Sequence, residues 1–322
     1  MEIQHEPQKS IVPYPKLTHI RYFIMDIKSR SPHLHDAFEL VYVLKGSIHT
    51  KVNANEYHIK QGDFLIINPN TIHSHNNGSS DGRVLLLVLQ LSPMFESDYL
   101  TYLKNISFTS NGPFSEKDSE ELLKLAGHFR AAAYSYFKDN GNHCRCLAYT
   151  TILLGDILKC FPHIELTGTE YLAQLHTTQR MERILRYIQA NLAEPCLLKK
   201  TAEEENLSTT YLSRLFSENF HITFQQFLKQ QRLEKAMKLL TSTNLPVYDI
   251  CFECGFQDYR QLNKYCKDTF GKTASECRGT ISTVDHGPIN YNRNGVSNEF
   301  RYSDEDSILY LSDFPEIDRI QL

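Results

Sequence analysis

Two sets of residues in this sequence could do chemistry, and they lie far apart in the chain. The first is His33, His35, Glu39 and His73. His33, His35 and Glu39 share parity with Val41, so an extended chain puts them on one side of a strand. His73 follows Pro69, just beyond the apolar run GDFLIINP. Three imidazoles and a carboxylate suit three uses. They could form a shell for a divalent transition ion, a polar pocket that donates and accepts hydrogen bonds, or ordinary structural groups. The second set is a pair of polar stripes. Thr210, Ser213, Arg214 and Ser217 recur at i, i+3, i+4 and i+7, as do Arg260, Asn263, Lys264 and Lys267. On a helix each stripe is one face. Such side chains present forks and hydroxyls to base edges and phosphates in a major groove. Thr209 and Tyr259, which open the same two helices, complete the candidate DNA-binding set.

The stripes need helices held as a pair, and the chain supplies this by repeating itself. Leu198, Thr201, Ala202, Leu207, Leu212, Leu215, Phe216, Phe220 and Thr223 return as Val247, Ile250, Cys251, Phe256, Leu262, Tyr265, Cys266, Phe270 and Thr273. The second turn is one residue longer than the first. Such a self-match implies two copies of one helix-turn-helix unit, at 198–219 and 247–270. Ser208 and Asp258 are the expected N-caps of the two second helices. The plainer alternative, two solvated amphipathic helices, does not explain the duplication.

The first set needs a β-scaffold. From His19 to about Leu91, short β-rich runs separated by Gly, Asn and Pro predict a compact β-barrel. The period turns helical over 115–161, with one helix around Leu122–Phe129 and another around Leu147–Leu158, after a turn at 139–142. Residues 167–178 are polar and read as a linker. The run from Phe224 to Leu240 predicts a strut of about 25 Å between the two units. Residues 281–322 are acidic and read as a solvated or weakly ordered tail.

Composition narrows the function classes. The net charge of −4 hides a split: 176–280 holds 15 basic against 12 acidic residues, and 281–322 holds 3 against 8. The basic excess therefore sits with the polar stripes, but it is too small for a broad electrostatic field. Tight DNA binding would need local phosphate contacts or a dimer. No apolar run is long enough to span a membrane. The polar start of the chain does not look like a secretory signal, so the expected setting is cytoplasmic, with the eight cysteines as thiols. Cys251 and Cys254 form a CxxC, but Cys251 occupies a buried repeat position and no second Cys/His pair follows at zinc-like spacing.

Two resemblances carry these readings further. The stretches LSTTYLSRLFSENFHITFQQFL and VYDICFECGFQDYRQLNKYCKDTFGKTASECR resemble the AraC/XylS-type transcription regulators. That resemblance implies seven helices in two helix-turn-helix subdomains joined by a long helix. Leu262, Cys266, Ala274 and Cys277 depart from the family's usual residues there. Separately, His33, His35, Glu39 and Gly46, followed by Gly62, Pro69 and His73, resemble the cupin motifs, in which such residues can hold a metal.

The expected organisation is α+β and multidomain. It comprises a cupin-like sensor barrel with an N-terminal arm (1–112), a helical pair that dimerises (113–166), the linker, an all-α double helix-turn-helix reader (179–280) and the tail. The expected function is a ligand-responsive regulator, by resemblance an activator answering to a sugar or carbon-source metabolite. The effector would lie near His33, His35, Glu39 and His73, with residues 11–16 as a lid. The expected partners are operator DNA, a second copy of the chain and RNA polymerase, with no cofactor, metal or catalytic residue. A metal-dependent cupin enzyme with a vestigial reader and a ligand-independent regulator are the alternatives.

Overall fold

The computed structural model describes residues 19–33, 35–77, 82–92, 95, 103, 105–138, 143–220, 222–280 and 297–314. The N-terminal arm with its lid and the turn at 139–142 lie outside them.

The N-terminal domain, the expected sensor, is a curled antiparallel sheet, a cupin-like half-barrel. Its strands are β1 (Ile20–His33), β2 (Phe38–Lys45), β3 (Ser47–Val52), β4 (Asn55–Lys60), β5 (Asp63–Ile67), β6 (His73–Asn76), β7 (Leu85–Leu91) and β9 (Phe114–Ser115). They run in the order β4-β3-β6-β1-β7-β2-β5-β9. Alternation along the strands makes two layers. Ile24, Leu40, Tyr42, Phe64, Leu87 and Leu89 face outward and pack on α1 (Glu120–Lys138) and α2 (His143–Cys160). Met25, Ile27, Val41, Val43, Leu65 and Val88 fill the concave side. Strands covered on both faces read as near-continuous apolar runs, which is how β2, β5 and β7 appear in the sequence. A short ribbon of β8 (Ile106–Phe108) with β10 (His163–Glu165) closes the sensor.

The C-terminal domain, the expected reader, has seven helices among the described residues: α3 (Gly168–Ala190), α4 (Leu197–Glu204), α5 (Thr209–Phe220), α6 (Phe224–Ser242), α7 (Val247–Glu253), α8 (Tyr259–Phe270) and α9 (Ala274–Thr280). It has two cores. Ile184, Ile188, Leu212, Phe216, Phe220 and Phe227 form one, and Leu233, Leu240, Ile250, Phe256, Leu262 and Cys266 form the other. Helix α6 feeds both, so it lacks a single apolar face. The caps stand as the sequence predicts: the Tyr211 N–H donates to Ser208 Oγ at 3.1 Å and the Gln261 N–H to Asp258 Oδ1 at 2.7 Å. The extra residue of the second turn follows Phe256, whereas Gly255 is the counterpart of Asn206, and both turn through positive φ. Gly255 has φ +79°, and a Cβ there would meet the Leu192 carbonyl oxygen at 2.6 Å. This close approach locks the second unit against the first.

Two expectations fail. The polar residues 167–178, expected as a linker without regular structure of their own, are the cap and opening turns of α3. Thr167 and Glu170 form a capping box, with the Thr167 N–H donating to Glu170 Oε2 at 2.8 Å. Polar residues with good helix propensity need no apolar face once the end is capped. Nor is the C-terminal region a solvated tail over its described part. β11 (Ser297–Arg301) pairs with Met25–Arg30 of β1, and α10 (Asp304–Ser312) lies on α1 with Leu311 fully buried. Phe314 stacks on the Arg130 guanidinium at 4.7 Å. The reader is therefore flanked on both sides in sequence by sensor elements.

Candidate effector site and nucleic-acid interface

The His/Glu set converges at one end of the concave sheet, though not on one strand. β1 ends at His33 and β2 begins at Phe38, with β7 between the two strands. A bend at Asp36 therefore brings the shared parity into one cluster. Glu39 is its centre. His35 Nε2 lies 3.0 Å from Glu39 Oε2, and Gln90 Nε2 donates to the same oxygen at 2.7 Å. His73 Nε2 is 3.7 Å from Glu39 Oε1, and the His33 and His73 rings are 4.1 Å apart.

Two backbone carbonyls fix the imidazoles. His73 Nδ1 donates to Thr71 O at 2.9 Å, and His35 Nδ1 to Ala37 O at 3.0 Å. Each Nε2 is thereby turned into the cluster, the arrangement by which a second partner orients a ligating histidine. Burial pushes His73 down to about 3 and His75 down to about 4, so both are neutral near pH 7. Burial alone would raise the Glu39 carboxyl, but the His35 hydrogen bond and the surrounding positive charge outweigh it and hold Glu39 ionised. With His73 neutral, the His35 hydrogen bond and the Arg30 charge are the contributions that persist.

Imidazoles beside a carboxylate, with His73 and His75 neutral, are a donor set for a divalent transition ion. The ligand atoms of His33, His35 and His73 lie within 4.8 Å of one another, as do those of Glu39, His73 and His75. The residues thus fit a metal better than the sequence led us to expect. Either His33, His35 and His73 or Glu39, His73 and His75 would hold it, and it would supply a Lewis-acidic anchor for a ligand oxygen. Sequence reasoning missed Gln90 and His75. Both carried a parity signal: Gln90 is the polar residue on the Val88 side of an apolar strand, and His75 alternates with His73.

The buried histidines give the sensor a pH dependence. Unfolding returns them to an ordinary value near 6.5, so below that pH the unfolded chain binds protons that the folded chain refuses. The stability they confer is complete above pH 6.5 and is lost as pH falls toward 4 and then 3. Each accounts for at most about 3–5 kcal/mol. The melting temperature of chelator-treated protein should fall from pH 6.5 to 5, and His75→Gln should flatten that slope. Equal slopes would remove His75 from the account.

The second set lies on α5 and α8. Thr209, Thr210, Arg214 and Ser217 are exposed on α5, with Ser213 half-buried. Arg214 lies 3.5 Å from Glu218 and over the Tyr211 ring. Arg260, Lys264 and Lys267 are exposed on α8. Asn263 behaves differently: it is half-buried, and its Oδ1 accepts from the Ala274 N–H at 2.9 Å, capping α9. Tyr259 OH lies 3.2 Å from Ser275 Oγ, which also turns it toward α9. Cys251 and Cys254 are buried core groups, and burial pushes the Cys254 thiol up to about 12. No described helix is long and apolar enough to cross a membrane.

The structure places a cupin-like sheet ahead of two stacked helix-turn-helix units. The helix-turn-helix domain model matches residues 201–280, and the cupin domain model matches 23–89. An uncharacterized HTH-type transcriptional regulator, YfiF of Bacillus subtilis, is 26% identical, covering 70% of this chain and 71% of its own. The HTH-type transcriptional activator RhaR of Escherichia coli is 23% identical, covering 79% and 88%. Among solved structures, fatty-acid-bound ToxT from Vibrio cholerae aligns over 84% of this chain and 98% of its own, at 14% identity and TM-score 0.45. The chain thus carries a cupin domain followed by a helix-turn-helix domain, and over most of its length it is similar to HTH-type transcriptional regulators.

Proposed function

We propose that this regulator answers to a small, hydroxyl-rich effector held at the His/Glu cluster. The observation that carries the reading is the convergence of His33, His35, Glu39 and Gln90, which together donate and accept hydrogen bonds at one end of the sheet. The concave side below them is packed with Met25, Val41 and Val88, so the ligand sits at the mouth and not deep inside. A sugar or carbon-source metabolite has the required chemistry. The reader docks α5 and α8 in successive major grooves. Arg214 and Arg260 read bases there, Lys267 holds a phosphate, and Thr209, Thr210, Ser213, Ser217, Tyr259 and Lys264 complete the face. RhaR is named as an activator, which supports activation here and, with it, contact with RNA polymerase. Dimerisation uses the outer face of α2, where Ile152 is 49% exposed, because α10 already covers α1. The setting is the cytoplasm.

The test is an operator titration of full-length protein, of Glu39→Gln and of a reader comprising residues 175–280, each with and without effector. Glu39→Gln should blunt the effector response by about tenfold in midpoint, the scale of one charged hydrogen bond. The isolated reader should bind more weakly and ignore effector. A reader that still responds would remove the sensing role from the cupin domain. The donor set also favours a second reading, a metal-dependent enzyme. Stoichiometric metal with turnover would support that reading, and operator binding in chelator would oppose it.

A further inference from the structure

The space beside the cluster is not enclosed by the sensor alone. A cavity of about 380 Å³ lies where the sensor rim meets the first helix-turn-helix unit. One wall is the rim, with His33, His35 and Asp36. The other belongs to the reader: Arg186 and Gln189 from α3, Gln231 from α6, and Phe227 behind them. The two domains are docked beside it, since Ile72 of the sensor is buried in the same apolar cluster as Ile184, Phe216 and Phe227. The reader wall is a built surface, because Gln231 is only 5% exposed.

We propose that the effector site is composite, with sensor and reader each supplying half of the grip on a neutral ring of monosaccharide size. Asp36 and Arg186 have opposite charges, so the walls together demand no net charge of the ligand. The amides of Gln189 and Gln231 and the imidazoles can each donate and accept, which suits a ring of hydroxyls. Phe227 lines the back of the cavity, an apolar patch against which the C–H side of such a ring can rest. The volume lies in the range of ordinary small-molecule sites.

The consequence is mechanical. A ligand held only by the sensor would have to act through the sheet to move the reader. A ligand held by both domains stabilises one docking of α3 and α6 on the rim directly, through its differential affinity for docked and undocked arrangements. None of the reader wall residues lies on the α5 or α8 stripes, so the ligand and DNA occupy separate faces. Linkage then requires that operator DNA change ligand affinity by the same factor as ligand changes operator affinity.

This inference rests on the effector reading above, and the experiment separates the two. Free aldopentoses, aldohexoses and 6-deoxyhexoses are screened against full-length protein by thermal shift, and binders are titrated calorimetrically. A binding sugar should lose about tenfold in affinity in Asp36→Asn, Gln189→Ala and Gln231→Ala alike, the scale of one lost hydrogen bond. If Gln231→Ala fails to fold, Gln189→Ala, at a half-buried position, carries the test. A sugar that binds and shifts operator affinity, yet is indifferent to the reader variants, overturns the composite site and leaves the effector reading standing. If no neutral sugar binds full-length protein, the proposed ligand class is wrong.

Discussion

Deletion of residues 297–322 should destabilise the sensor enough to make the protein aggregate or melt at least about 10 °C lower. The cause is the loss of three supports at once. β11 covers the free edge of β1 from Met25 to Arg30, and without it that backbone row becomes a template for pairing with other chains. Leu311, fully buried against α1, contributes about 2–3 kcal/mol of apolar burial. Phe314 and Arg301 stack in cation–π contacts, at 4.7 Å with Arg130 and 4.1 Å with Phe23. Removing Phe314 also uncovers Arg130, whose guanidinium donates to the buried Tyr42 hydroxyl at 2.8 Å. Against a typical total of about 5–15 kcal/mol this is a large fraction. Scanning fluorimetry and size-exclusion chromatography of the truncated chain check it. A monomodal truncated protein melting within about 2 °C of full length would show the segment to be ornamental.

The second large effect is expected at the DNA face. Arg214→Ala and Arg260→Ala should each lose about 1–3 kcal/mol on the specific operator and relax the sequence preference locally. A base contact by Arg214 would require it to exchange Glu218 for the base. That exchange costs little, because exposed helix ion pairs are worth only about 0.3–0.5 kcal/mol. Lys267→Ala should instead weaken all DNA alike and flatten the salt dependence by about one phosphate's worth. Asn263→Ala should act mainly through stability, because its carbonyl oxygen caps α9. Operator and random duplexes titrated at several salt concentrations separate these outcomes. Equal losses of Arg214→Ala and Arg260→Ala on both duplexes would end the base-reading assignment.

The sequence by itself determined the local order. Periodicity and capping residues located the two helix-turn-helix units and the extra residue in the second turn, because an amphipathic helix writes its buried face into its spacing. Strand parity placed Glu39 on the same side as Val41, and residue type made the His/Glu set a candidate site. Four matters were decided only by the tertiary structure. Residues 167–178 became helix because a capping box outweighed their lack of an apolar face. The acidic C-terminal segment became part of the sensor because a free strand edge and the flank of α1 accept it, and neither partner is near in sequence. Asn263 left the DNA stripe because α9 offers an N–H within reach. Gln90 joined Glu39 because β7 lies between β1 and β2 in the sheet. In each case the deciding partner is far along the chain or is a backbone group, and side-chain patterning records neither.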